Sequence, residues 1–480
     1  MLKMELLQEE QIAQILEASR KVLEETGVKI YSDKARKLLI DAGCTAEDVL
    51  VKIPWALVEK ALKTAQSNVD IYDRLGNLSM SLGSRNTYFG TGPTCPYFLD
   101  PMTGEHREAV KQDAADTAKV ADALGNIHFV MSLCTVGDQT AQLADLHEVH
   151  AMLQNTTKPI VSWSFNQENL DEMIEMCAAV AGCLESLQEK PFLIVYAEPT
   201  TPLIHTKEAL EKVMLLAEKK VPCIYSPGMV LGGTAPVTIS AALSIGVADS
   251  LTGLVISQLV TPGAPFITSA GGCPMDMKTM QCSYGGPETA LLYMGSTEVY
   301  HYLDLPIFGL AGATDAKIVD AQAGVEAAFQ IMLAKGSGAN LIHDIGFIDS
   351  GMTGSIEYMV LCDEIISMTE RYFQGVTVDA ERLGTDMVKQ VGPGGNFLVQ
   401  EHTMRYFKQE LWSGKLSDRQ SYSNWENKGS TSMTERAVEK MRKILATHNG
   451  IPLESAVKEK IDAILAKAEE RIVQGFEDLN

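Results

Sequence analysis

Between Thr87 and His343 the chain repeats one pattern: a short run that is apolar on both faces, then a longer stretch with apolar positions three and four residues apart. The short runs lie at 87–89, 127–133, 160–164, 192–197, 223–225, 265–268, 307–310 and 340–343. Each is too short for an independent helix, and an apolar run without alternation suits a parallel strand covered on both faces. Helical spacing precedes most of them, at 113–124, 138–154, 169–183, 207–220, 237–252 and 288–303. The last unit is the most explicit. After the run at 307–310, Ile318, Ala321, Gln322, Val325, Ala328, Phe329 and Met332 recur at helical spacing, and Gly336 and Gly338 supply a stop. A second run then ends in His343, Asp344 and Gly346.

Eight strand and helix units at spacings of about thirty to forty residues predict an α/β fold, a (β/α)8 TIM barrel. An open doubly wound sheet is the alternative, but no GxGxxG follows a strand and even spacing favours closure. The flanks predict helical additions at both ends. Residues 6–25, 33–41 and 54–65 read as helices around a short VKIY strand, and 69–82 alternates about a Gly-Asn turn as a hairpin does. This divides the chain into an N-terminal cap and hairpin over 1–83, the barrel over 84–354, and a mostly helical extension over 355–480. In that extension 433–446 and 456–475 are charged amphipathic helices, 392–396 is a loop, and 411–429 is irregular and carries aromatics.

Composition narrows the partners. The 480 residues are 46% hydrophobic and 21% charged, enough for a large core, and the formal net charge is −22. Such an excess of acid argues against nucleic acid and anionic membrane, which need clustered Lys and Arg. Nine cysteines without a CxxC pair suit reduced thiols. No metal site is expected. The N-terminus lacks an apolar signal core, and no run of about 20 apolar residues is expected anywhere, which predicts no secretion, no membrane span and a cytoplasmic protein. A chain of this length with extra terminal helices is expected to form a homo-oligomer.

If the barrel is right, chemistry belongs at the C-terminal ends of its strands. There Tyr97, Trp163, Phe165, Tyr196, Tyr225 and Phe347 offer π faces, suited to an apolar or cationic small molecule. Tyr97 and Trp163 are read either as cage walls or as rim packing. Glu198 is read as counter-charge to a cation or as a structural ion pair. Asp315, Lys317 and Asp320 form a ligand set or an ion-pair network. His343, isolated at the end of an apolar strand, points into the mouth. Gly232, Gly233, Gly271 and Gly272 permit close backbone approach, and Asp363 and Glu364 read as a solvated helix face. Lys317 or Lys278 as a Schiff-base lysine would make an aldolase-like enzyme. A non-catalytic binding barrel is a further class.

GTGPTCPYF at 90–98, SPGMVLGGTAPVT at 226–238, GGPE at 285–288, TDAKIVDAQAGVEAAF at 314–329 and the block from Gly338 to Ile365 resemble the trimethylamine:corrinoid methyltransferase superfamily, in the branch without pyrrolysine. The resemblance runs over nearly the whole chain. It implies a TIM barrel that passes a methyl group from an amine to the Co(I) of a separate small corrinoid protein. Members that take a tertiary methylamine use pyrrolysine, and every position here is a standard residue. The branch without it acts on quaternary amines such as glycine betaine, proline betaine or carnitine. The expected substrate-binding residues are then Tyr97, Trp163, Phe165 and Tyr225 as aromatic walls, with Phe347 beside them. Glu198 and Asp315 supply acid, and His343, Lys317 or Lys278 hold the betaine carboxylate. No catalytic residue is assigned, and no metal, because a quaternary nitrogen has no lone pair for a Lewis acid. The corrinoid is expected on the partner, since no DxHxxG motif is present.

Overall fold

A computed structural model describes residues 3–477. Its centre is a ring of parallel strands. One arc runs Ile160–Trp163, Leu193–Ala197, Cys223–Tyr225 and Phe266–Thr268 in sequence order. The other runs Phe308–Leu310, Leu341–Ile345 and Tyr88–Thr91. Parallel bridges close the ring: Thr268 to Ile307 on one side, and Gly90 to Phe129 with Val130 to Ile160 on the other. The result is a (β/α)8 TIM barrel.

The second strand position is shorter than the apolar run at 127–133 suggests. The Thr91 hydroxyl donates to the Met131 carbonyl at 2.7 Å and accepts the Met131 amide at 2.7 Å. A side chain replaces a ladder partner there, so the strand shrinks to its two bridging residues.

Inward-pointing Phe129, Val161, Ile194, Ile224, Ile267 and Leu341 fill the barrel. The hairpin Asn68–Tyr72 and Leu78–Gly83 plugs its lower end with Val69, Ile71, Met80 and Leu82. Tyr72 donates its amide to the Pro191 carbonyl at 2.8 Å, and Arg74 to that of Thr157 at 2.8 Å, both just before strands begin. Each such side chain contributes about 1.5–3 kcal/mol when buried. The plug leaves the C-terminal ends of the strands as the open end.

Helices fill the crossovers, several with side-chain N-caps from Thr206, Asp320 and Ser355. One helix face is settled here, and one sequence expectation is corrected. In Ala321–Ser337 the large apolar residues Val325, Phe329 and Met332 face outward, as does Ile318 just before the helix, while Ala323, Ala327, Ile331 and Ala334 face the barrel. Small side chains let this helix lie close on the strands, and the bulky stripe is displaced to the outside. Asp363 and Glu364 are buried rather than solvated. Asp363 binds Asn126 and the Lys440 ammonium, and Glu364 accepts the amides of Lys415, Leu416 and Ser417. Asp363 fastens its helix to the barrel, and Glu364 holds a later segment of the C-terminal extension against that helix.

The helix Ile239–Val260 is long and apolar enough to cross a bilayer by length and composition, contrary to the expectation that no such run exists. In the fold 78% of its most apolar window is buried. Helices Glu9–Lys21, Trp55–Thr64 and Lys207–Lys219 pack on it, which gives the N-terminal cap its structural task. That cap also holds a small sheet of Val28–Ile30, Leu50–Lys52 and Thr45–Glu47, extended by Ile204–His205 from a barrel loop.

Candidate active site

The C-terminal ends of the strands enclose a cavity of about 400 Å³, within the usual range for small-molecule sites. Trp163, Tyr196, Tyr284, Tyr293, Phe308 and Phe347 wall it. Two glycines permit close approach of the segments in its wall. A Cβ on Gly272 would come within 2.1 Å of the Met229 carbonyl oxygen, and one on Gly228 within 2.2 Å of Glu198 Oε1.

The third and fourth strands build one side. Trp163, at the end of Ile160–Trp163, donates its indole N–H to Glu148 Oε2 at 2.9 Å, and Ser132 donates its hydroxyl to the same oxygen at 2.8 Å. Glu148 lies beneath the cavity in the helix Ala144–Asn155, with Oε1 buried and unpartnered. Burial pushes its carboxyl up to about 8. Glu198 accepts the Tyr196 hydroxyl at 2.7 Å. Burial raises its pKa, opposed by that hydrogen bond, by attraction to Lys212 and by the Gly228 amide. Lys212 reaches the cavity from Lys207–Lys219 and donates to the Ser164 carbonyl at 2.6 Å. Burial lowers its pKa, and attraction to Asp145 and Glu198 opposes this.

The eighth strand builds the other side. His343 stacks on Phe308 with ring centroids 3.9 Å apart, and its Nδ1 lies 2.6 Å from the Gly309 carbonyl. A carbonyl only accepts, so Nδ1 carries the proton. Burial pulls the imidazole down to about 4, which leaves it neutral with a bare lone pair on Nε2. His343 lines the cavity as expected, but it has no N–H left to donate to a substrate carboxylate. Its Nε2 faces Asp344 Oδ1 at 3.4 Å. Asp344 is buried with Oδ1 unpartnered, and burial alone raises its pKa well above the carboxylate range.

Trp163, Glu198, His343 and Phe347 are thus brought together, with Tyr196. The other predicted residues lie elsewhere. Tyr97 is exposed on the strand Tyr97–Leu99 against His106, and Phe165 packs edge-on to Trp163 from outside. Tyr225 is fully buried, its hydroxyl 2.7 Å from His205 Nδ1. Asp315 accepts from the Ser283 hydroxyl, the Tyr284 amide and the Ser350 hydroxyl, which fastens the loop carrying Tyr284. Asp320 caps the helix Ala321–Ser337. Lys317 is 70% exposed and pairs with Asp349, and Lys278 sits in an exposed turn, so neither lysine considered for a Schiff base lines the cavity.

Glu148, Lys212, Tyr284 and Tyr293 were not singled out from sequence. Lys212 lies in an ordinary charged helix pattern, and the tyrosines come from the turn and helix after the sixth strand, so no local signal marks them. Asp344 did carry a signal, as the neighbour of His343 where the strand ends. Among the described residues no group of three or more His, Cys, Asp and Glu is arranged to hold a metal ion.

The comparisons agree with this architecture. The chain is 29% identical over 467 residues to a glycine betaine methyltransferase of Desulfitobacterium hafniense, covering 97% of each chain. It is 30% identical over 468 residues to the trimethylamine methyltransferase MttB of another strain of that organism, covering 96% of this chain and 93% of the relative. The crystal structure of the Methanosarcina barkeri monomethylamine methyltransferase superposes with a TM-score of 0.53 at 10% identity, covering 94% of this chain and 89% of that one, a likeness of fold. The sequence model described as trimethylamine methyltransferase (MTTB) matches residues 1–473, and the chain belongs to that methyltransferase family.

Proposed function

We propose that the protein demethylates a carboxylate-bearing quaternary amine, such as glycine betaine, proline betaine or carnitine, and passes the methyl group to the Co(I) of a separate corrinoid protein. The observation that carries this reading is an aromatic cavity with a cation on one side, Lys212 beside Glu198 at the fourth strand, and a buried carboxyl without donors on the other, Asp344 at the eighth. A zwitterion fits such a polarity. Lys212 has N–H donors beyond the one given to Ser164 and takes the carboxylate, in place of His343, Lys317 and Lys278. Trp163, Tyr196 and Phe347 face the ammonium group, each aromatic face contributing about 0.5–2 kcal/mol.

The chemistry asks little of the chain beyond placement. A quaternary nitrogen already carries its charge and leaves as a neutral amine, so attack on the methyl carbon needs no general acid. The walls hold the methyl group toward the open end and exclude water around the cation. Glu148 fixes the plane of Trp163 by its hydrogen bond.

The rim supports a macromolecular acceptor. Tyr97, Phe165, Val237, Met277, Met280 and Met352 are large, apolar and exposed, on loops after five of the strands. An apolar ring around a cavity is suited to docking a partner, here the corrinoid protein. A second exposed apolar stretch, including Val376, Val378, Leu398 and Val399, supports self-association of the chain through its C-terminal extension. We place the protein in the cytoplasm, with its corrinoid partner.

The test supplies a corrinoid protein in its Co(I) state and follows methyl-Co(III) formation spectrally with betaines and with trimethylamine. A betaine is expected to react fastest. Trimethylamine, protonated at neutral pH and without a carboxylate, is expected to be poor; an equal rate would overturn the reading.

A further inference from the structure

Two carboxyls line the cavity, and the protein treats them differently. Glu198 has the Tyr196 hydroxyl and the Gly228 amide as donors and Lys212 as a nearby cation. Asp344 has none of these. Its Oδ1 is buried without a partner and lies over Gly92, where a Cβ would come within 2.5 Å of it. The titratable groups that face it are His343 on its own strand, Cys95 from the loop after the first strand, Cys273 from Gly271–Pro274, Tyr284 from the following turn and Tyr293 from Pro287–Tyr302. None of them is a cation at neutral pH, since the imidazole of His343 is held neutral. Asp344 also adopts a left-handed backbone, φ +74°, unusual for a residue with a side chain. Strain and an unsatisfied buried carboxyl at one position of a cavity wall are what a group waiting for a ligand shows.

We infer that Asp344 is the counter-ion of the substrate's quaternary nitrogen, and that it releases its proton to solvent when that cation enters. The inference rests on the demethylase reading and adds the residue that recognises the fixed charge. In the empty cavity the carboxyl holds its proton, with the lone pair of His343 Nε2 3.4 Å away as an acceptor. A quaternary ammonium group brought close favours the charged form. The O–H bond breaks, its electron pair stays on the carboxylate, the proton leaves by way of His343 to water, and an ion pair forms. When the methyl group has departed with the C–N electron pair left on nitrogen, the amine is neutral and the ion pair is gone. Asp344 then takes a proton back from solvent, and the uncharged site releases the tertiary amine.

The test is a proton count. The full-length protein is titrated with glycine betaine at neutral pH by calorimetry in two buffers of different ionisation enthalpy. About one proton should be released per site, and the dissociation constant should fall about tenfold for each pH unit of increase while Asp344 remains protonated in the free protein. Tetramethylammonium, which has no carboxylate, should release the same proton. Asp344→Asn should bind without release, while Glu198→Gln should still release it. Binding of glycine betaine and tetramethylammonium without proton release overturns the inference, and so does release that persists in Asp344→Asn. The wild-type count stands even where the variant fails to fold. If glycine betaine methylates the cobalt yet binds without releasing a proton, this inference falls and the demethylase reading survives. If no quaternary amine methylates the cobalt, both fall.

Discussion

At the third and fourth strands each titratable group has at least one hydrogen-bond partner already in place. Lys212 donates to Ser164, Glu198 receives Tyr196, and even the hidden Glu148 receives Ser132 and Trp163. Across the mouth, at the eighth strand, His343 spends its one N–H on Gly309, and Asp344 Oδ1 receives no donor. Glu148 and Asp344 are buried alike, while Glu198 is exposed to the cavity. The difference teaches that burial alone does not decide what a carboxyl does: donors make it a permanent part of the wall, and their absence leaves its charge to be settled by the ligand.

The comparison is broken most visibly through stability. Glu148 in the folded protein keeps its proton up to about 8, against 4.5 when unfolded. An acid whose folded value is raised loses stability as pH rises through that window, at about 1.4 kcal/mol per pH unit. Urea unfolding at pH 5 and pH 8 should therefore show a loss of a few kcal/mol, and Glu148→Gln should remove much of it. A variant that loses as much as the wild type would mean that Glu148 is ionised in the fold.

Next in size is Lys212→Met. Loss of a charged hydrogen bond of about 1.5–3 kcal/mol should raise KM for glycine betaine roughly ten- to hundredfold while hardly moving that for tetramethylammonium. Equal changes for both would show that Lys212 only supports the wall. Trp163→Leu removes one cation–π face, about 0.5–2 kcal/mol, and kcat/KM should fall about two- to thirtyfold for both cations. The smallest effect concerns the rim. Met277→Asp with Met280→Asp should slow methyl transfer to the corrinoid protein severalfold and leave transfer to free cob(I)alamin unchanged; parallel losses would place these residues in the cavity machinery instead.

The barrel was readable because its signal is local. A strand covered on both faces must be apolar throughout, and the helices between strands must repeat every three or four residues, so each unit announces itself without its neighbours. The site was readable where a residue stands at a strand end, as Trp163, Glu198, His343 and Phe347 do. It failed where a strand-end residue turns sideways. Tyr225 has the right position and the wrong direction, its hydroxyl committed to His205 in the layer behind the strand. Lys317 follows the seventh strand and yet points to solvent, paired with Asp349.

By itself the sequence determined the alternation of strand and helix, the closed ring that eight such units make, the end at which chemistry gathers, and the motif blocks that mark the family. The tertiary structure alone decided which polar groups share one cavity. Lys212 reaches it from a helix that looks solvated, and Tyr284 and Tyr293 from the excursion after the sixth strand, while Glu148 holds Trp163 from outside the lining. It also decided which face of Ala321–Ser337 is inside and that Ile239–Val260 is wrapped by N-terminal helices. The physical reason is that periodicity reports how one segment meets its surroundings in general. Hydrogen-bond supply, charge pairing and burial depend on what arrives from other segments, whether fifteen residues away, as Glu148 is from Trp163, or more than two hundred, as Asp363 is from Asn126.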